Sequence, residues 1–370
     1  MGTRNTPVRP GLIVMEKWAD WHLEKFTDFA RKVRDISGAT PHLRMVGHSV
    51  MPTDDDFEGV AWRGGLYAAT YNYPVAEVIG QHWSLREALR NAELFYAWIE
   101  QHWAGLPLRK ERKAVNSPRR LADCIFSYAQ WVNSGRLNEM YRAGYRSTEP
   151  YQAAWDVFQE VKYMGRYISI RYLEYMRRYA SLPARMPDAR CKGGGHPREG
   201  LFLLYPDMPH LISGDTVEAV AASELTFIDA LAAVKKRGVE LDHYSLQSLI
   251  CEYKQAWHGH QYPVQALDSE LGYYHKVFSH FGEEYRKASQ FFQIRKALFP
   301  EKALGEVQGW IGKRKVLGRV LPDYEYNWSD LEFSYLATED FAKPVRHGDE
   351  AVSNKARRPV STGTLFESAE

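Results

Sequence analysis

Five polar side chains, one of them a cysteine, recur at helical spacing. They are separated by four, four, three and four residues and are His243, Gln247, Cys251, Lys254 and His258. On a helix with about 3.6 residues per turn, this spacing produces one polar stripe about 80° wide. Nearby cations stabilise a thiolate, so Cys251 could act as a nucleophile. The alternative, which we favour, is a small residue at the edge of the core. In either case we expect the stripe to line a cleft.

Two segments are rich in positive charge and are candidates for contacts with DNA. The connector at 106–118 and the start of the next predicted helix hold Arg109, Lys110, Arg112, Lys113, Arg119 and Arg120. On a predicted helix at 151–180, Lys162, Arg166 and Arg177 share one stripe, beside three tyrosines. Cations can bind the phosphate backbone of DNA, and aromatic rings between them can stack on unpaired bases. Most runs of charged residues, however, simply form solvated surface. The sequence leaves both interpretations open.

A glycine-rich segment at 191–198 is a weaker candidate for an anion site. Its three consecutive glycines can bring backbone N–H groups together around a phosphate, and Lys192 and Arg198 add charge. We favour a flexible surface loop. The sequence holds no Walker phosphate loop, no Gly-x-Gly-x-x-Gly fingerprint after a strand and no His-Glu-x-x-His motif. It therefore predicts no P-loop kinase, no metal site and no cofactor.

Composition describes a globular chain. The 370 residues are 45% hydrophobic and 25% charged, which suffices for a sizeable core. A net charge of only +2 means that any DNA contact must depend on a local basic face. The cysteines, Cys124, Cys191 and Cys251, are odd in number and far apart, which fits a reducing cytosol. No apolar run approaches the roughly 20 residues of a membrane span, and the polar start lacks a signal peptide. We expect a soluble protein.

Hydrophobic periodicity predicts a mainly α fold. Helical patterns cover 15–36, 84–102, 119–131, 151–180, 216–236, 243–257 and 269–298. Gly165, inside the longest of these, suggests close packing. The segment 42–73 is predicted as a loop with a short strand pair, and Pro74 as the opening of a helix. We expect one large helical domain over 11–341, or two packed lobes over 11–180 and 210–341, followed by a polar tail over 342–370.

Three groups of residues resemble one enzyme family. The first is Trp62-Arg63-Gly64-Gly65 with Tyr71-Asn72-Tyr73-Pro74, the second runs over 158–165, and the third is Cys251-Glu252-Tyr253-Lys254 with Tyr262-Pro263 and Leu267-Asp268. Over about residues 15–341 the chain resembles the amino acid:DNA transferases of bacteriophages with hypermodified thymine.

The resemblance implies a specific reaction. Such phages carry 5-hydroxymethyluracil in DNA, a kinase phosphorylates the hydroxymethyl group, and the transferase joins the α-amine of an amino acid, typically glycine, to that carbon. The implied partners are this phosphorylated DNA and free glycine. Other phage DNA-modification enzymes would act before and after, in the cytoplasm of the infected bacterium. The base must be flipped out or bound single-stranded.

The resemblance also implies catalytic roles. Arg63 and Lys254 would take up charge on the departing phosphate. Glu252 or His258 would remove the ammonium proton of the amino acid. Cys251 has a catalytic role if its thiolate adds to C6 of the uracil, and none if the amine attacks directly.

A second set of residues is implied to bind substrate. Trp62 would stack on the displaced base, and the other members are Arg63, Gly64, Tyr262 and Asp268. We expect the loop at 62–64 and the Cys251 helix to line one shared cleft. The carboxylate of glycine requires an arginine that the sequence does not assign.

Two other classes of protein remain open. One is another helical DNA-base enzyme, either glycosylase-like or pyrophosphorylase-like, although a helix–hairpin–helix followed by a catalytic aspartate is not evident. The other is a non-catalytic phage DNA-binding or structural protein, which would need no polar stripe and no concave pocket. A glycosylase would release the free base, whereas a transferase would add the mass of one amino acid to the nucleoside. The mass of the product therefore distinguishes these two enzymes.

Overall fold

The fold is known here from a computed structural model. It describes residues 12–36, 40–50, 57–257 and 265–299, with the backbone alone for 12–18, 110, 257, 265 and 268. Over these ranges all regular secondary structure is helical, which confirms the mainly α prediction. None of the described helices is long and apolar enough to cross a membrane.

The helices follow one another with short connections. In chain order they are α1 Leu12–Val33, α2 Thr40–His48, α3 Phe57–Thr70, α4 Tyr73–His82, α5 Leu85–Arg90, α6 Ala92–Gln101, α7 Pro118–Asn133, α8 Arg136–Arg146, α9 Pro150–Phe158, α10 Arg166–Tyr179, α11 Gly195–Leu204, α12 Val217–Lys236, α13 His243–Trp257, α14 Gln265–Phe281, α15 Glu283–Ala288 and α16 Phe291–Leu298. Short 3₁₀ helices occupy Trp103–Gly105, Lys110–Val115 and Pro209–Leu211.

Helix starts follow local sequence chemistry. The side chain of Asn72 accepts a hydrogen bond from the backbone N–H of Val75, and Pro74 lies in the first turn of α4. Ser117 and Pro118 begin α7 in the same way. A polar cap satisfies an amide that has no partner within the helix, and proline lacks only a donor that the first turn does not use. The predicted opening of a helix at Pro74 is confirmed.

The central helix of the core is α3. Its residues from 61 to 70 are all buried, and it packs against α2, α4, α7 and α10. Gly64 and Gly65 admit the rings of Tyr175 from α10 and Tyr128 from α7, each so close that a Cβ on the glycine would overlap the ring. The Tyr128 hydroxyl then donates to the carbonyl of Ala61 at 2.7 Å. The two glycines therefore set the spacing of three helices.

Replacing Gly65 with alanine is expected to destabilise the protein. Overpacking a filled core costs about 1–3 kcal/mol, and displacement of the Tyr128 ring also endangers its bond to Ala61; we therefore expect a loss of about 2 kcal/mol or more. Denaturant unfolding measures it. The matched control is Gly165→Ala, where a Cβ would meet no atom within 4 Å. Equal losses in the two variants would contradict the packing argument.

Two predicted elements are wrong. The described part of 42–73 is not loop and strand but α2 and α3; α3 is buried on every side and so lacks the one-sided periodicity of a surface helix. The predicted helix at 151–180 is two helices, α9 and α10, because the chain turns at 159–165, where Tyr163 has a φ of +63°. Lys162 therefore shares no helical stripe with Arg166, and Gly165 has no close neighbours.

Both ends of the described chain contribute to one core. α1 packs against α11 and α13, α14 against α4, and α16 against α2. The division into one domain or two lobes stays a prediction. The predicted tail at 342–370 lies outside the described residues.

Candidate active site

The polar stripe of α13 faces α11 and the segment before it. Gln247 Nε2 donates to the carbonyl of Ala189 at 2.6 Å. Lys254 Nζ donates to Glu199 Oε2 at 2.6 Å and lies 3.0 Å from His196 Nδ1. These contacts make the stripe part of a polar interface between α13 and the 189–199 segment.

The charge of Lys254 is already balanced in this interface. Its side chain is 6% exposed, whereas that of Glu199 is 48% exposed. Hydrogen bonds from His196 and Lys254 lower the pKa of Glu199 to about 2, so this carboxylate is ionised at neutral pH. Lys254 can therefore bind a phosphate group only if Glu199 moves away, which its exposure permits.

The thiol of Cys251 is not activated. Burial raises its pKa to about 11, and the neighbouring Glu252 acts in the same direction. A thiol with this pKa is protonated at neutral pH and is a poor nucleophile. The structure therefore favours the interpretation of Cys251 as a residue at the edge of the core.

Beside α13, the helix α10 carries an arginine into the core. Arg171 is 5% exposed, and its Nη1 donates to Ser248 Oγ at 2.9 Å. The guanidinium carbon lies 4.7 Å from the centre of the Tyr167 ring and 4.8 Å from that of Tyr244. Among the described residues no carboxylate is paired with it. The buried charge is held by rings and hydroxyl groups alone.

Tyrosines surround this arginine. The hydroxyls of Tyr71 and Tyr167 are 2.6 Å apart. Among the described residues, the buried hydroxyl of Tyr67 has no hydrogen-bond partner, and that of Tyr244 has none except the Arg171 guanidinium. Burial raises the pKa of Tyr67, and the centre of its ring lies 5.5 Å from that of Tyr71. We use the name arginine–tyrosine cluster for Tyr67, Tyr71, Arg109, Tyr167, Arg171 and Tyr244.

The second arginine of the cluster is neutralised by a buried glutamate. Arg109 Nη2 donates to Glu270 Oε1 at 2.5 Å, the backbone N–H of Tyr73 donates to Glu270 Oε2 at 3.0 Å, and His42 Nδ1 lies 3.0 Å from Oε1. Although burial opposes it, the charge of Arg109 holds the pKa of Glu270 below its usual value. Burial lowers the pKa of His42, which keeps its ring neutral. Among the described groups, the cluster thus has one uncompensated positive charge, on Arg171.

The backbone beside the cluster is strained. Tyr71 and Tyr163 adopt φ values of +50° and +63°, and Arg190 adopts +51°. Such conformations cost an aromatic or other bulky residue about 1–3 kcal/mol each and are concentrated at functional sites. Tyr71 belongs to the cluster, and Tyr163 lies four residues before Tyr167. The strain at Tyr71 therefore lies within the cluster itself.

A separate surface cleft is a weaker candidate. It encloses about 560 Å³ near the start of α13, and Arg34, Lys235 and Asp242 are among its lining residues. Its cations have acidic neighbours, since Arg34 lies 3.6 Å from Asp35 and Lys235 lies 3.0 Å from Glu240. The charges in this cleft are thus largely compensated, and we place the candidate active site at the arginine–tyrosine cluster.

The sequence match supports an enzyme that contains this cluster. A family profile described as amino acid:DNA transferase matches residues 65–262, a little more than half of the 370 residues. The chain belongs to the amino acid:DNA transferase family. The matched region of the transferase includes all six residues of the arginine–tyrosine cluster, together with Cys251 and Lys254. Comparisons with curated proteins and with solved structures gave no significant match.

Four of the predicted DNA contacts of the transferase are exposed, although Arg119 also lies 3.4 Å from Asp123. The side chains of Lys113, Arg119, Arg120 and Lys162 are exposed. The backbone N–H of Lys162 donates to Ser127 Oγ of α7 at 3.1 Å, which places the turn before α10 against the helix that carries Arg119 and Arg120. We call these four residues the basic rim.

Two other predicted DNA contacts of the transferase bind its own backbone; Arg112 is buried and Arg166 is half-buried. Arg112 is 2% exposed, and it donates to the carbonyls of Ala69 at 2.7 Å and Tyr163 at 3.2 Å. Arg166 donates to the carbonyl of Arg190. Arg112 holds the basic connector against the end of α3, next to Tyr71. We therefore remove Arg112 from the set of expected phosphate contacts; Arg109, described above, is likewise engaged in the interior.

The predicted substrate residues at 62–64 lie on α3, not on a loop. Trp62 is 1% exposed, and its Nε1 donates to the carbonyl of Trp83 at 2.9 Å. In this position the ring cannot stack on a base, so that role is withdrawn. Arg63 is also buried, and Gly64 serves helix packing. On the next turn of α3, Tyr67 is the residue that belongs to the arginine–tyrosine cluster, with its ring centre 5.5 Å from that of Tyr71.

Several other predicted residues lie at or beyond the limits of the described structure. Glu252 is half-buried on α13. His258 and Tyr262 lie outside the described residues, and the side chains of Lys110 and Asp268 are not described. Among the described side chains, no group of His, Cys, Asp and Glu residues is arranged to hold a metal ion.

The glycine-rich segment of the transferase encloses one of its own carboxylates. The backbone N–H of Gly193 donates to Asp215 Oδ2 at 3.2 Å, and Arg198 Nη2 donates to Asp215 Oδ1 at 2.7 Å. One glycine N–H and one arginine thus bind Asp215, and the segment from Gly195 onward forms the start of α11 rather than the flexible surface loop that we favoured.

Arg171 was missed in the sequence, although a signal was present. Ile168, Tyr172 and Tyr175 form the buried stripe of α10, and Arg171 lies within it, three residues after the first and four before the last. A cation at a position where periodicity requires an apolar side chain points to a buried site.

Proposed function

We propose that this transferase joins the α-amine of an amino acid, with glycine as the leading candidate, to the 5-methylene carbon of phosphorylated or pyrophosphorylated 5-hydroxymethyluracil in phage DNA. Phosphate or pyrophosphate leaves. The observation that carries the proposal is the uncompensated buried charge of Arg171 inside the region that defines the family. A reaction between an amino acid and an anionic ester needs such a charge in a water-poor site.

The bond changes follow from the substrate. The C–O bond to the phosphate breaks, its electron pair leaves with the phosphate, and the C–N bond forms from the lone pair of the amine. The pyrimidine ring stabilises positive charge at the reacting carbon, so the enzyme can act by position and electrostatics. An enzyme nucleophile is not required.

Proton transfer and the leaving group need residues near α13. Glu252 is the described candidate for the base that removes the ammonium proton, and His258 is the second candidate. Lys254 would release Glu199 and bind the departing phosphate instead. A phosphate group is a stronger partner for the ammonium group than one exposed carboxylate.

The DNA would approach over the basic rim. Tyr163 and Tyr167 are the partly exposed rings on this side, at 37% and 36%, and they replace Trp62 as candidates for stacking on the displaced base. The substrate requires an earlier kinase, so the transferase would work with other phage enzymes in the cytoplasm of the infected host.

Nucleoside mass analysis tests the reaction. Duplexes with a single phosphorylated or pyrophosphorylated hydroxymethyluracil are incubated with glycine, or with ¹⁵N-glycine to identify the donor. We expect a nucleoside that has lost the phosphate and gained one glycine. Unphosphorylated hydroxymethyl-DNA is the control and should remain unchanged. Release of the free base would indicate a glycosylase, and binding without any product would indicate a non-catalytic protein.

Cys251→Ala is expected to retain turnover within about threefold of the wild type, since the direct mechanism needs no thiolate. Single-turnover product formation measures the rate, and thermal unfolding of the same sample shows whether packing has changed. A loss well above a hundredfold, or about 2.7 kcal/mol of barrier, in a variant that still folds and binds DNA would establish thiolate addition instead.

A further inference from the structure

One edge of the Arg171 guanidinium has no strong partner. Nη1 is engaged by Ser248, and the guanidinium carbon lies 4.7 Å and 4.8 Å from the centres of the Tyr167 and Tyr244 rings. Nε is buried without a hydrogen bond, and Nη2 makes only a 3.4 Å contact with the Tyr167 hydroxyl. The Nε–Nη2 edge is one of the two edges through which arginine binds a carboxylate with parallel hydrogen bonds.

Two further donors lie unpaired in the same place. Among the described residues, the buried hydroxyl of Tyr67 has no hydrogen-bond partner, and that of Tyr244 has none except the Arg171 guanidinium, so neither donates its own proton. Tyr67 packs on Tyr71, with the ring centres 5.5 Å apart. Leaving several donors of one cluster unpaired is costly, and native proteins rarely do so without a water, ion or ligand. Arg109, Arg190 and Arg198 also have a buried Nε without a hydrogen bond among the described residues, but each of these three is paired with a carboxylate, and Arg171 is not.

The charge of the cluster selects the kind of ligand. Arg109 and Glu270 cancel, and His42 is neutral, so one positive charge remains, on Arg171. A phosphate or pyrophosphate ester would bring two or more negative charges into this buried space, which one arginine cannot balance. A carboxylate brings one charge and two acceptor oxygens, and so matches both the charge and the donors.

We infer that Arg171 binds the carboxylate of the amino acid substrate through its Nε–Nη2 edge, with the hydroxyls of Tyr67 and Tyr244 as additional donors. This inference rests on the proposed amino acid transfer and supplies the arginine that the sequence did not assign. The carboxylate displaces the Tyr167 hydroxyl from Nη2, while Tyr167 keeps its 2.6 Å partner, Tyr71. Tyr167 lies in the first turn of α10 and is partly exposed, so we expect the amino acid to enter beside this ring.

Kinetics with Arg171→Lys and Tyr67→Phe test the assignment. Lysine keeps the charge but loses the paired donors. We expect the KM for glycine to rise at least tenfold in both variants on the phosphorylated duplex, while the KM for that duplex stays within twofold. The wild type should prefer glycine to glycinamide and methylamine, which lack the carboxylate, and this preference should shrink at least tenfold in Arg171→Lys.

Matched variants separate binding from packing. Tyr172→Phe removes a hydroxyl that is already paired, 2.9 Å from that of Tyr128, and Arg177→Lys alters an arginine on the same helix that is paired with Glu174. Tyr172→Phe should lower thermal stability without changing the KM for glycine. Tyr67→Phe should leave thermal stability unchanged or raise it, and should raise the KM for glycine. Arg177→Lys should leave the KM for glycine unchanged.

Direct binding distinguishes this inference from the proposed function. Glycine is titrated calorimetrically into the wild type and Tyr67→Phe in the presence of unphosphorylated hydroxymethyl-DNA. Binding that weakens at least tenfold in Tyr67→Phe would support the carboxylate site even if no transfer occurred. If both variants transferred glycine at the normal rate, with an unchanged KM for glycine and an unchanged preference for glycine over its analogues, the carboxylate site would be refuted. The proposed transferase activity would not be affected by that result. Loss of stability without a KM effect in Tyr67→Phe would show that the cluster holds water or is only structural.

Discussion

Glu270→Gln is expected to lower the free energy of unfolding by about 3–5 kcal/mol, the range for breaking one partner of a buried ion pair. The carboxylate is fully buried and accepts hydrogen bonds from Arg109 and from the backbone N–H of Tyr73. Glutamine would leave the guanidinium charge, whose side chain is only 13% exposed, without a counter-charge. Denaturant unfolding of the purified variant measures the loss.

A double-mutant cycle shows whether the pair is responsible. Arg109→Gln combined with Glu270→Gln should cost less than the sum of the single variants, with a coupling energy above about 1 kcal/mol. Glu283→Gln breaks the exposed pair with Arg286 and should change stability by less than about 0.5 kcal/mol. Equal effects of the buried and exposed substitutions would refute a central role for Glu270.

The same pair makes stability depend on acid pH. Since the pKa of Glu270 is lowered in the folded protein, its contribution is complete above the pKa of an unfolded glutamate, about 4.3. It is lost as the pH falls from there through the folded value. Wild-type stability should therefore fall more steeply below this pH than the stability of Glu270→Gln.

Reversing the four charges of the basic rim should weaken DNA binding at least about a hundredfold near physiological salt. Each phosphate contact that is lost also abolishes the release of counterions that favours binding. The variant carries Glu at 113, 119, 120 and 162. We also expect the magnitude of the slope of log K against log salt to fall by about 3.6, since each of the four lost contacts contributes about 0.9. Fluorescence anisotropy with a labelled duplex at several salt concentrations measures both quantities.

The matched control changes the net charge equally at other places. Lys236, Lys276, Lys287 and Lys296 are exposed on α12, α14, α15 and α16, and all four are reversed to Glu. Binding by this control should weaken far less, and its salt slope should stay near the wild-type value. If both variants lose the same affinity and slope, the protein binds DNA through net charge alone and the basic rim has no special role.

Much of the helical framework was predictable because its signals are local. The predicted helices at 119–131, 216–236 and 243–257 agree closely with α7, α12 and α13. Each has a one-sided apolar pattern or a cap within a few residues of its start. The segments that failed lacked these signals: α3 is buried all round, and the turn at 159–165 interrupts a pattern that looks continuous in sequence.

By itself, the sequence determined the helical class, the register of α13 and the resemblance to amino acid:DNA transferases. Only the tertiary structure decided which charges are compensated. Lys254 meets Glu199 across 55 residues, Arg171 meets Ser248 across 77, and Arg109 meets Glu270 across 161. Burial and pairing control whether an arginine is a structural ion pair or an open binding group, and both depend on groups that are distant in the chain. For that reason Arg171 emerged as the candidate carboxylate site only when α10 and α13 were seen packed together.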